Sequence, residues 1–363
     1  MKKIICLIML CCMMTGCIEE ITEMPVSDEP ESVPSEELYS GILESLRNMS
    51  DFSEYKGYVS ADDAQSAVEK ICREYPEFFW IDGYTVKSGQ RKSSIEFELL
   101  NGVEAENLGD MRKKFSESAD RVLNEISPEL DDYEKIVSVH DYLINNTVYD
   151  HDGVESDGNG LWGTAYGCLV DGKAVCQGYS EAFKYIMDRL GIECGIVTGT
   201  AGTSDPYGDS GNSEPLPHAW NYVRLDGMYY WIDVTWDDPD DKVSGMPVMH
   251  TYCLIDDERI KRTRIFDSGQ GFIPSCYSMD DNYYVRNGAY IKFCNDEAVS
   301  SAILSSPYSG EAELMFSDSD VYNKSLKMLF QDGGLWNIAE SAGIGESVSY
   351  TTDDIMYTLK ISY

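Results

Sequence analysis

Apolar positions change their spacing several times along this chain, and each change marks an element. From 176 to 190, Tyr179, Ala182, Phe183, Ile186, Met187 and Leu190 follow the i, i+3, i+4, i+7 spacing of one helix face, and Gly191 stands where a helix C-terminal glycine belongs. Tyr133, Ile136, Val137, His140 and Leu143 predict a second helix over 132–145, with Pro128 marking its approach. Ser60 as N-cap, with Asp63 three residues on, starts a helix over 61–75, and 108–126 reads as another. Elsewhere short strand-type runs appear at 81–86, 94–100, 251–255, 283–285, 289–293, 311–316 and 355–362, with a helix at 324–330. This mixture of helices and strand runs reads as α+β.

The sharpest pattern is a hairpin. Asp226-Gly227 stands between His218-Ala219-Trp220-Asn221 upstream and Tyr230-Trp231-Ile232-Asp233-Val234-Thr235-Trp236 downstream, and Asp-Gly is a strong signal for a two-residue turn. Leu225 then pairs with Met228, which puts Trp220 opposite Asp233 and His218 opposite Thr235. Opposed residues share a face, as do alternate residues along each strand. His218 and Asp233 therefore project from one face as diagonal neighbours, close enough for the carboxylate to orient the imidazole. Cys176 sits at the N-terminus of the helix predicted over 176–190, where unpaired N–H groups and the dipole favour a thiolate. A thiolate paired with an oriented histidine is an activated nucleophile, and the first-turn N–H groups can donate to a developing oxyanion. Taken singly, the three residues have plainer readings: a small buried hydrophobe, a satisfied strand histidine, a turn-capping carboxylate. Their combination carries the catalytic reading.

These residues lie within motifs that resemble the bacterial transglutaminase-like superfamily, the papain-like Cys-His-Asp enzymes. The motifs are Tyr166-Gly167-Cys168-Leu169-Val170-Asp171-Gly172-Lys173-Ala174-Val175-Cys176-Gln177-Gly178-Tyr179, Pro217-His218-Ala219-Trp220-Asn221 and Trp231-Ile232-Asp233-Val234-Thr235-Trp236-Asp237-Asp238-Pro239. Upstream, Val139-His140-Asp141-Tyr142-Leu143 and Tyr149-Asp150 resemble the segment leading into the core, and Tyr75-Pro76-Glu77-Phe78-Phe79-Trp80 resembles a feature of a lipoprotein branch. The resemblance is dense from about 132 to 260. It implies a nucleophile-bearing helix packed on an antiparallel sheet, with Cys176 as nucleophile, His218 as general base and acid, and Asp233 as orienting carboxylate. Gln177, Trp162, Tyr166 and Trp220 are candidates to contact substrate or oxyanion, with core packing an equal alternative for Trp162 and Tyr166. Cys168 departs from the small residue the family often has there.

Charge and the N-terminus add location. The 363 residues carry a net charge of −36, from 64 acidic against 28 basic side chains, which excludes nucleic acid as a natural partner. Aromatic residues at 12%, led by 25 tyrosines, argue for packed strands rather than an acidic disordered chain. Met1-Lys2-Lys3 followed by a short apolar run reads as a signal peptide over 1–16, and Met14-Thr15-Gly16-Cys17 resembles a lipobox that makes Cys17 the acylated residue. Two or more acyl chains there would anchor the protein to the outer face of the bacterial cell membrane. An acidic flexible tether follows over 17–37, then a mixed α/β region over 38–127, the catalytic core over 128–260 and a small α/β or β-rich region over 261–363.

Of the 11 cysteines, Cys6, Cys11 and Cys12 leave with the signal. Beyond Cys17 and Cys176, the remaining Cys72, Cys168, Cys194, Cys253, Cys276 and Cys294 permit disulfides or stay as reduced core residues. Their spacing does not suit zinc, the loop at 200–217 lacks the ligand pattern of a calcium loop, and neither metal nor cofactor is expected. That loop reads as a lid or recognition element, and 237–241 as a solvated acidic turn. His140 falls on a packed helix, whereas His151 and His250 have no nameable partner.

The expectation is a lipid-anchored, extracytoplasmic cysteine hydrolase or acyltransferase. It works on amide bonds of peptides, proteins or cell-wall peptides through a thioester. The rival is a non-catalytic surface binding or assembly module that keeps the same scaffold.

Overall fold

The computed structural model describes residues 16–20, 32–155, 160–202, 215–238, 248–306, 310–342 and 348–363. The architecture is α+β, as the sequence predicts. It divides into two compact units: Met1–Leu130 with Ser138–Ile196, and Asp131–Val137 with Val197–Tyr363.

The first unit contains β1 (Gly16–Glu20), α1 (Ser35–Arg47), β2 (Phe52–Lys56), α2 (Ala61–Glu74), β3 (Ile81–Ser88), β4 (Lys92–Leu99) and α3 (Ala105–Glu125). A helix α4 (Asp132–Asn146) runs through the boundary, followed by β5 (Val148–Tyr149), α5 (His151–Glu155), β6 (Lys173–Ala174) and α6 (Cys176–Leu190). Its four-stranded sheet has the order β1-β3-β4-β2. The cap that predicts α2 is present, since Ser60 Oγ accepts from the Asp63 N–H at 3.1 Å. At the end of α6, Gly191 adopts φ 76°, the left-handed conformation that lets a glycine close a helix.

The second unit holds β7 (Cys194–Ala201, which begins in the first), β8 (Leu216–Leu225), β9 (Met228–Ile232), β10 (Cys253–Ile255), α7 (Asp257–Ile260) and β11 (Arg264–Phe266). Then come α8 (Tyr283–Arg286), β12 (Tyr290–Ile291), α9 (Asp296–Leu304), β13 (Glu311–Phe316), α10 (Ser319–Leu326), α11 (Gly334–Ala342), β14 (Ser349–Asp353) and β15 (Thr358–Ser362). One sheet has the order β10-β9-β8-β7-β11, another β12-β13-β15-β14. Alternate residues of β13 and β15, with Val299, Ile303, Leu335 and Ile338 from the helices, bury the core of the second sheet.

The Asp226-Gly227 hairpin forms in the expected register, Leu225 against Met228 through Asn221 against Ile232. Both turn residues have positive φ, 50° and 84°, as a turn matched to strand twist requires. The pairing stops earlier than the sequence suggests. After Asp233 the chain turns over residues 234–237, so Thr235 is not a strand partner of His218. The run 283–285 is a helical turn rather than a strand, because Asn282 Oδ1 accepts from the Tyr284 N–H at 3.1 Å and starts α8.

Part of the stretch expected as a tether is also ordered. Gly16–Glu20 pairs in parallel with β3, Cys17 facing Thr85 in the register, and α1 begins at Ser35. Backbone ladder bonds explain why an acidic sequence can be held there. Residues 1–15 of the expected signal peptide over 1–16, and the polar stretch 203–214 of the expected lid, lie outside the described residues. Among the described residues, Cys72, Cys168, Cys176, Cys194, Cys253, Cys276 and Cys294 are not paired with one another in disulfides. No helix among the described residues is long and apolar enough to cross a membrane.

Candidate active site

Cys176 is the first residue of α6 and is buried. Val175 before it is extended at φ −100°, ψ 179°, offers no side-chain cap, and donates its own N–H to the Trp162 carbonyl at 2.9 Å. The first-turn N–H groups of α6 are therefore not taken up by a capping side chain, and that turn carries no acidic residue. The Cys-Gln-Gly motif has a steric cause at its third position. A Cβ on Gly178 would stand 2.8 Å from the Thr164 carbonyl and 2.9 Å from the Trp162 carbonyl, so only glycine lets the helix approach this loop.

The neighbouring candidates in the first unit divide by what their polar atoms do. Gln177 Nε2 donates to Glu181 Oε1 at 2.7 Å, which holds the amide along its own helix. Glu181 Oε2 accepts from the Ala165 N–H at 3.0 Å, tying α6 to the loop that contains Trp162 and Tyr166. Burial pushes the Glu181 carboxyl up to about 7, against the lowering effect of those two hydrogen bonds. Trp162 keeps a buried indole Nε1–H with no hydrogen-bond partner. Tyr166 is a packing residue, its ring 4.7 Å from Phe79 and stacked on Phe115. Cys168 lies buried with its Sγ 3.3 Å from Thr147 Oγ1.

In the second unit, the structure brings His218 and Asp233 together. His218 Nε2 stands 2.7 Å from Asp233 Oδ2, both side chains buried, one on β8 and the other just past the end of β9. The turn after β9 helps to aim the carboxylate, since the Trp236 N–H donates to Asp233 Oδ1 at 3.2 Å. A third participant is absent from any sequence reading: Arg264 of β11 donates to Asp233 Oδ2 through Nε at 3.1 Å and Nη2 at 2.5 Å. Burial alone would raise the Asp233 carboxyl, but the charges of His218 and Arg264 outweigh it and hold the group down at about 2. The guanidinium is itself enclosed by rings, 3.9 Å from the Trp236 centroid and 4.7 Å from that of Tyr252. Trp220 is wholly buried, stacked 5.9 Å from the His218 ring and edge-on to Phe266.

Other polar residues fall differently from expectation. Asp237, read as part of a solvated turn, is fully buried, and both its oxygens accept from the Tyr252 N–H at 3.0 Å. A buried carboxylate there pins the chain leading into β10, which the acidic run in sequence does not reveal; residues 239–241 lie outside the description. His250 is buried, stacked on Tyr283 at 3.6 Å and 3.3 Å from Glu313 Oε2, with Lys360 Nζ 2.8 Å from Glu313 Oε1. His140 is buried with Nδ1 2.9 Å from Asp141 Oδ1, and His151 is exposed beside Tyr149. Nothing in sequence marks Arg264, one of three cations in Lys261-Arg262-Thr263-Arg264, and nothing marks Glu181.

An α+β chain with a buried cysteine heading one helix and a buried histidine–carboxylate pair on a sheet has the architecture of transglutaminase- and papain-like proteins. Residues 120–235 match the profile described as Transglutaminase-like superfamily, and a fold of that superfamily is thereby supported for the segment. Similar solved structures include a candidate cysteine protease from Cytophaga hutchinsonii, at 17% identity over 40% of this chain and 53% of that one, with a TM-score of 0.27. A structure described as a TGase is similar at 15% identity over 51% of this chain and 50% of that one, TM-score 0.29. A candidate protease from Parabacteroides distasonis is similar at 9% identity over 41% and 35%, TM-score 0.24. The chain thus spans about half or less of the length of these solved relatives. No curated protein matches it.

Proposed function

We propose that this protein is a transglutaminase-like cysteine enzyme that cleaves or transfers acyl groups at amide bonds of peptides or proteins. Cys176 is the nucleophile, His218 the general base and acid, and Asp233 the carboxylate that orients it. The observation behind this reading is the buried hydrogen bond of 2.7 Å between His218 Nε2 and Asp233 Oδ2. It commits Nε2 to the carboxylate and makes Nδ1 the nitrogen that exchanges protons.

In the first step Nδ1 takes the thiol proton and Sγ attacks the carbonyl carbon, moving the π electrons onto oxygen. First-turn N–H groups of α6 are suited to receive that charge, and the unpartnered Nε1–H of Trp162 is a further donor. Collapse breaks the C–N bond, the leaving amine takes the proton from His218, and a thioester remains. Water then gives hydrolysis, and an amine gives transfer. Acylation at Cys17 would place this chemistry outside the cytoplasm, where peptide, protein or cell-wall peptide amides are the substrate class.

The full chain, extracted in detergent, is treated with iodoacetamide across pH and read by peptide mass spectrometry, with His218→Ala beside it. Fast labelling of Cys176 at about pH 6, where an ordinary thiol with pKa near 8.5 is almost wholly protonated, and its loss in the variant, is the expected result. Labelling of Cys176 no faster than the other thiols would replace the enzyme with the non-catalytic assembly module. The same digest reads Cys17: an N-terminal peptide without acyl chains removes the membrane anchor.

A further inference from the structure

We propose that Arg264 is a positioning residue that sets the basicity of His218 through the carboxylate they share; the catalytic meaning of this rests on the function proposed above. A histidine beside a lone buried carboxylate gains a proton readily, because the imidazolium is the only cation available to the anion. Here Asp233 Oδ2 accepts at once from His218 Nε2 at 2.7 Å and from Arg264 Nε and Nη2 at 3.1 and 2.5 Å. Part of the negative charge is therefore already matched before the imidazole is protonated, and a second cation on the same oxygen is correspondingly less favoured.

The geometry also fixes direction. Arg264 sits on β11, paired with β7 through Ala201, so the guanidinium is delivered from a strand other than those bearing His218 and Asp233. Its flat faces are held by Trp236 and Tyr252, which leaves its N–H edge for Asp233 and for the Thr263 carbonyl at 3.4 Å. Among the described residues of this unit, the titratable or charged groups around the pair include Arg264 on β11, the phenol of Tyr252 before β10, Asp237, whose oxygens accept from the Tyr252 N–H, and Asp353, which lines one small cavity with Trp236 and Tyr252. Burial holds that phenol in its protonated, neutral form, above the usual tyrosine range. The outcome is an orienting carboxylate that stays ionised yet does not trap His218 as an imidazolium. A cysteine enzyme needs that balance, because its histidine must both accept and return a proton.

The test is an NMR titration of the His218 ring in a Cys176→Ala background, which removes any thiolate contribution. Arg264→Gln keeps a donor but not the charge, and Arg264→Lys keeps the charge. The expected result is a His218 midpoint at or below the ordinary value of about 6.5 in the parent. Arg264→Gln should raise it by about one pH unit or more, a tenfold gain in proton affinity, and Arg264→Lys should restore it. An unchanged midpoint in Arg264→Gln overturns the proposal. If that variant does not fold, the parent decides: a midpoint above about 6.5 overturns it and one at or below that value upholds it. An inert Cys176 in the alkylation experiment would end the enzymatic reading without touching this result.

Discussion

Replacing Glu181 with glutamine removes a carboxylate that the fold buries one turn beyond Cys176, between Gln177 Nε2 and the Ala165 N–H. Burial raises this carboxyl from 4.5 to about 7. A carboxyl whose folded midpoint lies above its unfolded one binds its proton more tightly in the folded state. Its contribution is fully present below pH 4.5 and is lost as the pH rises through about 7. At about 1.4 kcal/mol per tenfold change, the loss reaches about 3 kcal/mol above that window. Glutamine cannot ionise, and the Gln177 amide can turn its oxygen toward it, so the variant should escape the penalty. Urea unfolding of both proteins at several pH values between 4 and 8.5 measures the difference. Any fixed hydrogen-bond cost shifts that difference by a constant, so only its slope matters. The variant should gain about 3 kcal/mol on wild type across the range. A pH-independent difference would refute the argument that burial governs this carboxyl.

Two further outcomes follow from close packing and buried charge. Gly178→Ala drives a Cβ to within 2.8–2.9 Å of two loop carbonyls, so it should cost about 1–3 kcal/mol by thermal or urea unfolding and slow the alkylation of Cys176. In the second unit burial would raise Glu313, but His250 and Lys360 outweigh it and lower the carboxyl from 4.5 to about 2. That stabilisation is present above pH 4.5 and is lost as the pH falls through about 2, so the stability advantage of wild type over Glu313→Gln should shrink by up to about 3 kcal/mol on acidification, measured by urea titration.

The parts of the molecule that were legible in sequence are those governed by local chemistry. The Ser60 cap, the helix of Cys176 with Gly191 at its end, and the Asp226-Gly227 turn each depend on residues a few positions apart. The hairpin register holds from Leu225 against Met228 to Asn221 against Ile232, because two strands joined by a two-residue turn have little freedom to slip, and His218 and Asp233 meet just beyond its end. The continuation past Asp233 was misread because Val234, Thr235 and Trp236 look like strand. Their turn is held by the Trp236 N–H donating to Asp233 and by Asp237 buried against Tyr252. Tyr283-Tyr284-Val285 was misread for a similar reason: side-chain type favours a strand there, and the Asn282 cap starts a helix.

Sequence alone determined where this chain puts a cysteine at a helix start and a histidine and a carboxylate on one hairpin. Only the tertiary structure decided what surrounds them. Arg264 reaches Asp233 from a strand 31 residues away, and Lys360 reaches Glu313 across 47. Contacts of that range leave no period or spacing in the chain, since a buried charge finds its partner through strand order and not through sequence distance. Glu181 is equally silent in sequence, because a carboxyl's environment is set by what covers it.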